Sequence, residues 1–170
     1  REKSLTALFS RKQLANLKIT EAYYVSVNLS VQQFIQAGQL LCNPVSQQNL
    51  NAKNIIKILS AYGKFKWVIE VRYLPGVTDN VGHTAGEIIR ENLKNVKKSL
   101  SIGSALLYFL DTKEKNIIDA VAAENSNPLI HGITILSFKD YVKKLRSNKI
   151  TDFNVKLSKK KIHNEKNKFE

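Results

Sequence analysis

The chain contains no methionine, one cysteine, three prolines and seven glycines in 170 residues. A single cysteine excludes an internal disulfide, so a reducing compartment such as the cytoplasm is expected. The longest apolar runs, such as residues 105–110, are far too short to cross a bilayer. The basic N-terminal segment lacks the continuous apolar stretch of a signal peptide. We therefore expect a cytoplasmic protein with one domain or two small half-domains and no role for a membrane.

Acidic residues are scarce: 14 Asp and Glu stand against 27 Lys and Arg, which gives a net charge of +13. Residues 139–170 hold 11 Lys and Arg and 4 Asp and Glu, so about half of the excess lies in the last fifth of the chain. A general nucleic-acid surface would spread this charge more evenly. The terminal segment of the chain, residues 157–169, has one aromatic residue, Phe169, and no platform for base stacking. A solvated linker or tail is favoured, and a basic RNA-binding module is the alternative.

Hydrophobic periodicity and turn residues predict alternating helices and strands. Ser30 is a plausible N-cap for the helix at 31–42, and Pro44 should end that same helix. Thr84 is expected to open a later helix. The predicted helices are 4–17, 31–42, 84–97, 114–125 and 138–147, and residues 53–62 are ambiguous but lean towards helix. The predicted strands are 22–29, 66–74, 104–111 and 131–137. Residues 46–54, which are rich in Gln and Asn, are predicted to form a loop.

An internal echo is present in this pattern. Helix, strand, helix and Asn-Pro at residues 4–44 recur at residues 84–128. The second copy has a leading strand at 66–74, whereas the leading strand of the first copy would lie upstream of Arg1. We predict an α+β fold of two ferredoxin-like halves with antiparallel sheets, helices packed on them and a basic C-terminal tail. The predicted domains are 1–62 (first half, leading strand missing), 63–137 (second half) and 138–170 (basic linker or tail).

The segment from Pro75 to His83 reads as a strand–turn–helix corner. Pro75 presets φ, Gly76 permits a sharp bend, and Asp79 and Asn80 can bond to the turn backbone. The spacing of a phosphate-binding loop is absent. A helix N-terminus attracts anions, so a partner carboxylate could lie here. We predict a partner-facing corner formed by Pro75, Gly76, Asp79, Asn80 and His83.

Catalytic and metal-binding patterns are weak. His83, His131 and His163 are far apart in sequence and have no Cys companions, which argues against a metal site. Nothing near Cys42 would lower the pKa of its thiol, so it is predicted to be a half-buried or core residue.

One catalytic alternative remains open at the level of sequence. Glu70 and Asp79 are strand- and loop-borne acids that could hold magnesium in a nuclease-like site. Arg72 is a poor substitute for the lysine that such sites use.

The corner and the two Asn-Pro endings together resemble one family, phosphoribosylformylglycinamidine synthase. Its small S-type subunit has a strand, a Pro-Gly-Val turn with an aspartate, a glycine, a helix, a glycine-marked strand and a helix ending in Asn-Pro. The N-terminal domain of the single-chain enzyme is similar over residues 4–28. The matching segments are residues 71–79 with Gly82, 103–110, 123–130, 133–136 and, in the first copy, 40–45.

The resemblance implies a ligase of de novo purine biosynthesis that uses ATP and glutamine to convert an amide to an amidine. It implies that the synthetase domain binds ATP and magnesium and that a glutaminase carries the nucleophilic cysteine. This chain would bridge the two as a homodimer or pseudo-dimer. No catalytic, cofactor-binding or metal-binding residue is implied in it, so it should be inactive alone. The basic tail could then be a linker into a synthetase domain.

Overall fold

The computed structural model describes residues 17–27, 29–51, 60, 63–146 and 153–158. Within them the chain forms an α+β domain with six strands and four helices. The strands are β1 (Lys18–Val25), β2 (Gln47–Asn51), β3 (Trp67–Tyr73), β4 (Ile102–Leu110), β5 (His131–Ser137) and β6 (Phe153–Ser158). The helices are α1 (Val31–Leu40), α2 (Asn80–Asn92), α3 (Lys115–Glu124) and α4 (Phe138–Arg146).

The strands form one sheet in the order β2-β6-β1-β4-β3-β5. Every neighbouring pair is antiparallel, and the continuous four-strand part β1-β4-β3-β5 joins strands from both predicted halves. The α+β class with an antiparallel sheet and packed helices is therefore confirmed.

Both faces of the sheet carry apolar side chains. On one face α1, α2 and α3 cover the sheet, with Ile89 and Val121 fully buried. On the other face Tyr141 of α4 packs with Phe65 and Phe109. Strands that are covered on both sides bury successive residues, which explains why Val68 and Ile69 are both buried.

The strand, helix and Asn-Pro of the internal echo recur in the described residues with a constant offset of 84 positions, while the helix predicted to open the first copy, 4–17, lies outside those residues apart from Leu17. β1 begins at residue 18 and β4 at 102; α1 begins at 31 and α3 at 115; β2 begins at 47 and β5 at 131. In the strand order, β2-β6-β1 forms one half of the sheet and β4-β3-β5 the other, and the two halves meet at the β1–β4 pair. β6 lies beside β1 as β3 lies beside β4. The strand order therefore has an approximate two-fold symmetry.

The two Asn-Pro endings have the same hydrogen bonds. The Asn43 side-chain oxygen accepts from the N–H of Val45, and that of Asn127 accepts from the N–H of Leu129, both at 3.0 Å. The Asn43 N–H donates to the Gln47 side chain at 2.9 Å, and the Asn127 N–H to the His131 ring at 3.1 Å. Equivalent positions therefore close both helices and start both following strands.

Several sequence predictions need correction. The predicted loop at 46–54 contains β2, because β6 provides a partner for its backbone groups. On the side away from β4, the strand that pairs with β1 is β6 from the C-terminal segment, whereas the sequence predicted a leading strand upstream of Arg1. Residues 153–158 of the predicted tail form β6, which pairs with β1 and β2. The predicted helices at 4–17 and 53–62 lie outside the described residues, apart from Leu17 and Ser60.

Other boundaries agree with the sequence. The Ser30 side chain accepts from the N–H of Gln33, and the Gln33 side chain accepts from the N–H of Ser30, which forms a capping box. Helix α1 ends at Leu40, shortly before Pro44, and β5 has the predicted limits. Helix α4 spans 138–146, close to the predicted 138–147.

Candidate functional site

The corner after β3 is a tight turn. The Val77 N–H donates to the Leu74 carbonyl at 3.1 Å, with Pro75 and Gly76 at the two central positions. Gly76 has φ of +85°, which is the left-handed conformation that a type II turn requires at its third residue. The prediction of a bend at Pro75-Gly76 is confirmed by this geometry.

Asp79 joins the corner to the sheet. Its carboxylate accepts from the Gly82 N–H at 2.7 Å, as the N-cap of α2, and from the Ser104 hydroxyl at 2.7 Å. The Ser104 N–H also donates to it. Helix α2 thus begins at Asn80, four residues before the predicted opening at Thr84, because Asp79 supplies the cap.

Close packing at this junction requires glycine. A Cβ placed on Gly82 would lie 2.2 Å from the Ile102 carbonyl oxygen and 2.6 Å from an Asp79 carboxylate oxygen. The first turn of α2 can therefore approach β4 only without a side chain at this position.

The other predicted corner residues are on the surface. Pro75, Gly76, Asn80 and His83 are exposed. His83 is 67% exposed, and its Nδ1 lies 3.6 Å from Glu87 on the next turn. Asp79 alone is half-buried, so the structure assigns it a structural role and leaves four neighbours facing outwards.

Glu70 lies on the opposite face of the sheet and is buried, with 2% exposure. Its carboxylate accepts from the Tyr24 hydroxyl and from Lys144 Nζ of α4. Arg72 Nη1 is 3.9 Å away, and its guanidinium stacks over the Tyr24 ring at 4.0 Å. This network attaches α4 to the sheet through a satisfied charge.

The nuclease alternative is not supported by this geometry. Glu70 pairs in register with Leu107, and side chains alternate along a strand, so Ser104 and its partner Asp79 lie on the other face. Carboxylates on opposite faces do not share a metal ion. Among the described residues no group of three or more His, Cys, Asp or Glu side chains is placed to hold a metal.

Tyr23 packs beside the corner, and its hydroxyl does not ionise near neutral pH. Burial raises the pKa of its hydroxyl far above the ordinary value, and the negative charges of Glu21 and Asp79 raise it further. The hydroxyl stays protonated at neutral pH and donates to Glu21 at 3.3 Å.

Strand β5 lies at one edge of the sheet. The Leu74 N–H donates to the Ile130 carbonyl at 2.9 Å, and the Phe138 N–H donates to the Lys66 carbonyl at 2.8 Å. Bonded residues alternate along an antiparallel ladder, so the even-numbered residues of β5 bond to β3. The odd-numbered residues direct their N–H and C=O groups towards the outer edge, which no strand of the described residues occupies.

Apolar side chains accompany this edge. Ile133 and Ile135 are each 41% exposed, and Leu129, in the turn before β5, is 82% exposed. An open groove of about 330 Å³ lies beside the corner. It is lined by Arg72, Tyr73, Leu74, Pro75, Gly132, Ile133 and Thr134.

A second apolar surface lies on α1. Val31 is 73% exposed and Ile35 43%, one helical turn apart. At the equivalent positions of α3, 84 residues later, the chain has Lys115 and Asp119. The two halves thus share a backbone pattern but expose different chemistry.

Neither the apolar edge of β5 nor the apolar face of α1 was predicted from the sequence, although the distribution of charged residues indicates both. No charged residue occurs in residues 22–52 or in 125–138, while 24% of the whole chain is charged. Interface cores are depleted of charged residues, so charge-free stretches in a basic chain point to surfaces of this kind.

Comparisons with protein-family models, curated proteins and solved structures find nothing that matches this chain. In the part of the chain that the structure describes, no helix combines the length and apolarity needed to cross a membrane.

Proposed function

We propose that this chain is a non-catalytic bridging domain of phosphoribosylformylglycinamidine synthase, the ATP- and glutamine-dependent ligase of purine biosynthesis. The observation that carries the proposal is the duplication: two strand–helix–Asn-Pro–strand units, offset by 84 residues, arranged about the β1–β4 pair. This order and these endings are the features by which the sequence resembles the S-type domain.

The sheet order supports the finer interpretation of two ferredoxin-like halves. β1 and β2 are both antiparallel to β6, which lies between them, and β4 and β5 are both antiparallel to β3. Each half is therefore a split βαβ unit, the motif that characterises the ferredoxin-like class. The chain is then an internal pseudo-dimer of S-type units.

A structural role agrees with the use of the acidic residues. Asp79 is occupied by the helix cap and by Ser104, and Glu70 by Lys144 and Tyr24. Neither is free to act on a substrate. The exposed, uncharged outer face of α1 has the composition of a surface that another polypeptide covers.

Under this proposal the chain has no activity alone. A synthetase domain or subunit binds ATP and magnesium, a glutaminase releases ammonia from glutamine, and this domain contacts both in the cytoplasm. The outward residues of the corner, Pro75, Gly76, Asn80 and His83, face one of these partners.

The test is affinity purification with the tagged chain as bait in lysate of its source cells, with nuclease treatment. Recovery of a synthetase and a glutaminase, with glutamine- and ATP-dependent amidine formation in the eluate, is expected. RNA and ribosomal proteins that disappear with nuclease would instead indicate the RNA-binding alternative. Catalysis by the purified chain alone would refute the proposal.

A matched pair of bait variants locates the contact. Val31→Lys/Ile35→Asp gives α1 the residues that α3 has at the equivalent positions, and it should lose at least one partner. Lys115→Asn/Asp119→Asn changes the equivalent face of α3 and should keep both. Equal recovery with both variants would show that α1 is not the contact surface.

A further inference from the structure

Among the described residues no strand pairs with the outer edge of β5, and β5 itself has none of the features that commonly protect an edge strand from pairing. Its seven residues pair with β3 in an unbroken register from Tyr73–His131 to Trp67–Ser137, without a bulge. It contains no charged residue and no proline. Natural edge strands are commonly protected by lysine, proline or bulges, so an unprotected edge is suited to accept another strand.

The opposite edge of the same sheet provides an internal comparison. β2 occupies the symmetry-equivalent position, and residues 49 and 51 correspond to 133 and 135. The chain has Asn49 and Asn51 there, whereas β5 has Ile133 and Ile135. The same backbone position is thus polar on one edge and apolar, with two exposed side chains, on the other.

The sequence of β5, HGITILS, is complementary to itself when it is reversed about Thr134. Ile133 then lies opposite Ile135 of the second copy, and Thr134 opposite its own counterpart. Gly132 lies opposite Leu136, so a large side chain meets an open position. No pair brings two charges together. The residues whose backbone groups face outwards, 133 and 135, form the hydrogen-bonded pairs of such a ladder.

We propose that β5 is a homodimerisation edge: two copies of this chain pair antiparallel through β5, centred on Thr134, and join their six-stranded sheets. A single strand pair buries less than a standard interface, and the net charge of +13 repels a second copy. The dimer is therefore weak, and higher salt strengthens it by screening the charge. The inference does not depend on the enzyme that the domain serves.

Sedimentation velocity over a concentration series tests the proposal. The wild-type chain should shift from monomer to dimer as concentration rises, and more readily in higher salt. Ile133→Asn/Ile135→Asn, which copies the polar residues of β2, should raise the dissociation constant at least about tenfold. Val31→Asn/Ile35→Asn removes two exposed apolar side chains from α1 and should leave the dimer unchanged. A wild-type chain that is monomeric throughout, or equal weakening by both variants, would overturn the proposal.

Disulfide trapping gives a second readout that does not require apolar substitutions. Only a residue on the two-fold axis meets itself, so Thr134→Cys in a Cys42→Ser background should oxidise rapidly to a covalent dimer. Residues in a non-hydrogen-bonded antiparallel pair have Cα atoms about 4.5 Å apart, within disulfide range. Ile135→Cys in the same background would face Ile133 and should crosslink slowly. Equal rates at the two positions would refute the proposed register.

Discussion

Replacement of Asp79 by alanine should destabilise the whole domain, because this carboxylate joins the corner, α2 and β4. Loss of an N-cap costs about 1 kcal/mol. The Ser104 N–H and hydroxyl each lose a charged acceptor at a half-buried position, for roughly 1 kcal/mol each after partial replacement by water. The expected loss is about 3 kcal/mol, or a melting temperature lower by about 6–12 °C for a domain of this size.

Urea unfolding followed by circular dichroism measures this change, and the slope of the transition should stay constant while the midpoint falls. Asp119→Ala, which removes an exposed carboxylate from α3, is the control and should change stability by less than about 0.5 kcal/mol. A double-mutant cycle with Ser104→Ala should give a coupling of about 1 kcal/mol between the two side chains. If Asp79→Ala matched the control, or if the cycle were additive, the structural role assigned to Asp79 would be wrong.

Three further expectations follow from the geometry. Gly76→Val should cost about 2 kcal/mol in urea unfolding through backbone strain alone, since φ is +85° and no atom lies within 4 Å of the added Cβ; an unchanged midpoint would contradict the turn. Lys144→Met should lower the free energy of unfolding by about 2 kcal/mol, because it leaves the buried Glu70 carboxylate with Tyr24 and the more distant Arg72 guanidinium. This figure is lower than for a fully buried ion pair, since Lys144 is partly exposed. A stabilised variant would refute the prediction. Burial raises the pKa of Tyr23 in the folded state, so its contribution to the free energy of unfolding is fully present below pH 10 and is lost as the pH rises above it. The melting temperature of the wild type should therefore fall more steeply above pH 10 than that of Tyr23→Phe, and identical pH profiles would exclude this coupling.

Local structure was predictable where the determining groups are near neighbours. The N-cap at Ser30 and the bend at Pro75-Gly76 were both visible in short segments. The limits of β5 followed from β-branched residues after an Asn-Pro turn. For the cap and the turn, the hydrogen-bonding partner lies within a few residues.

The candidate site was predicted only in part. The corner was found, but Asp79 was assigned to turn bonds because its partner Ser104 is 25 residues away. The edge of β5 and the outer face of α1 were missed, since an apolar side chain in a strand or helix is normally expected in the core. Charge-free stretches were present in the sequence as a signal.

By itself the sequence determined the Ser30 cap, the Pro75-Gly76 turn, the α+β alternation and the repeat of strand, helix and Asn-Pro, because these depend on local backbone preference and side-chain periodicity. The tertiary structure alone decided the pairing of β6 with β1 and β2, the strand at the Gln- and Asn-rich residues 47–51, and which apolar side chains remain exposed. Strand pairing satisfies backbone groups between segments far apart in the chain, so no local pattern specifies it. Exposure depends on what the rest of the fold covers.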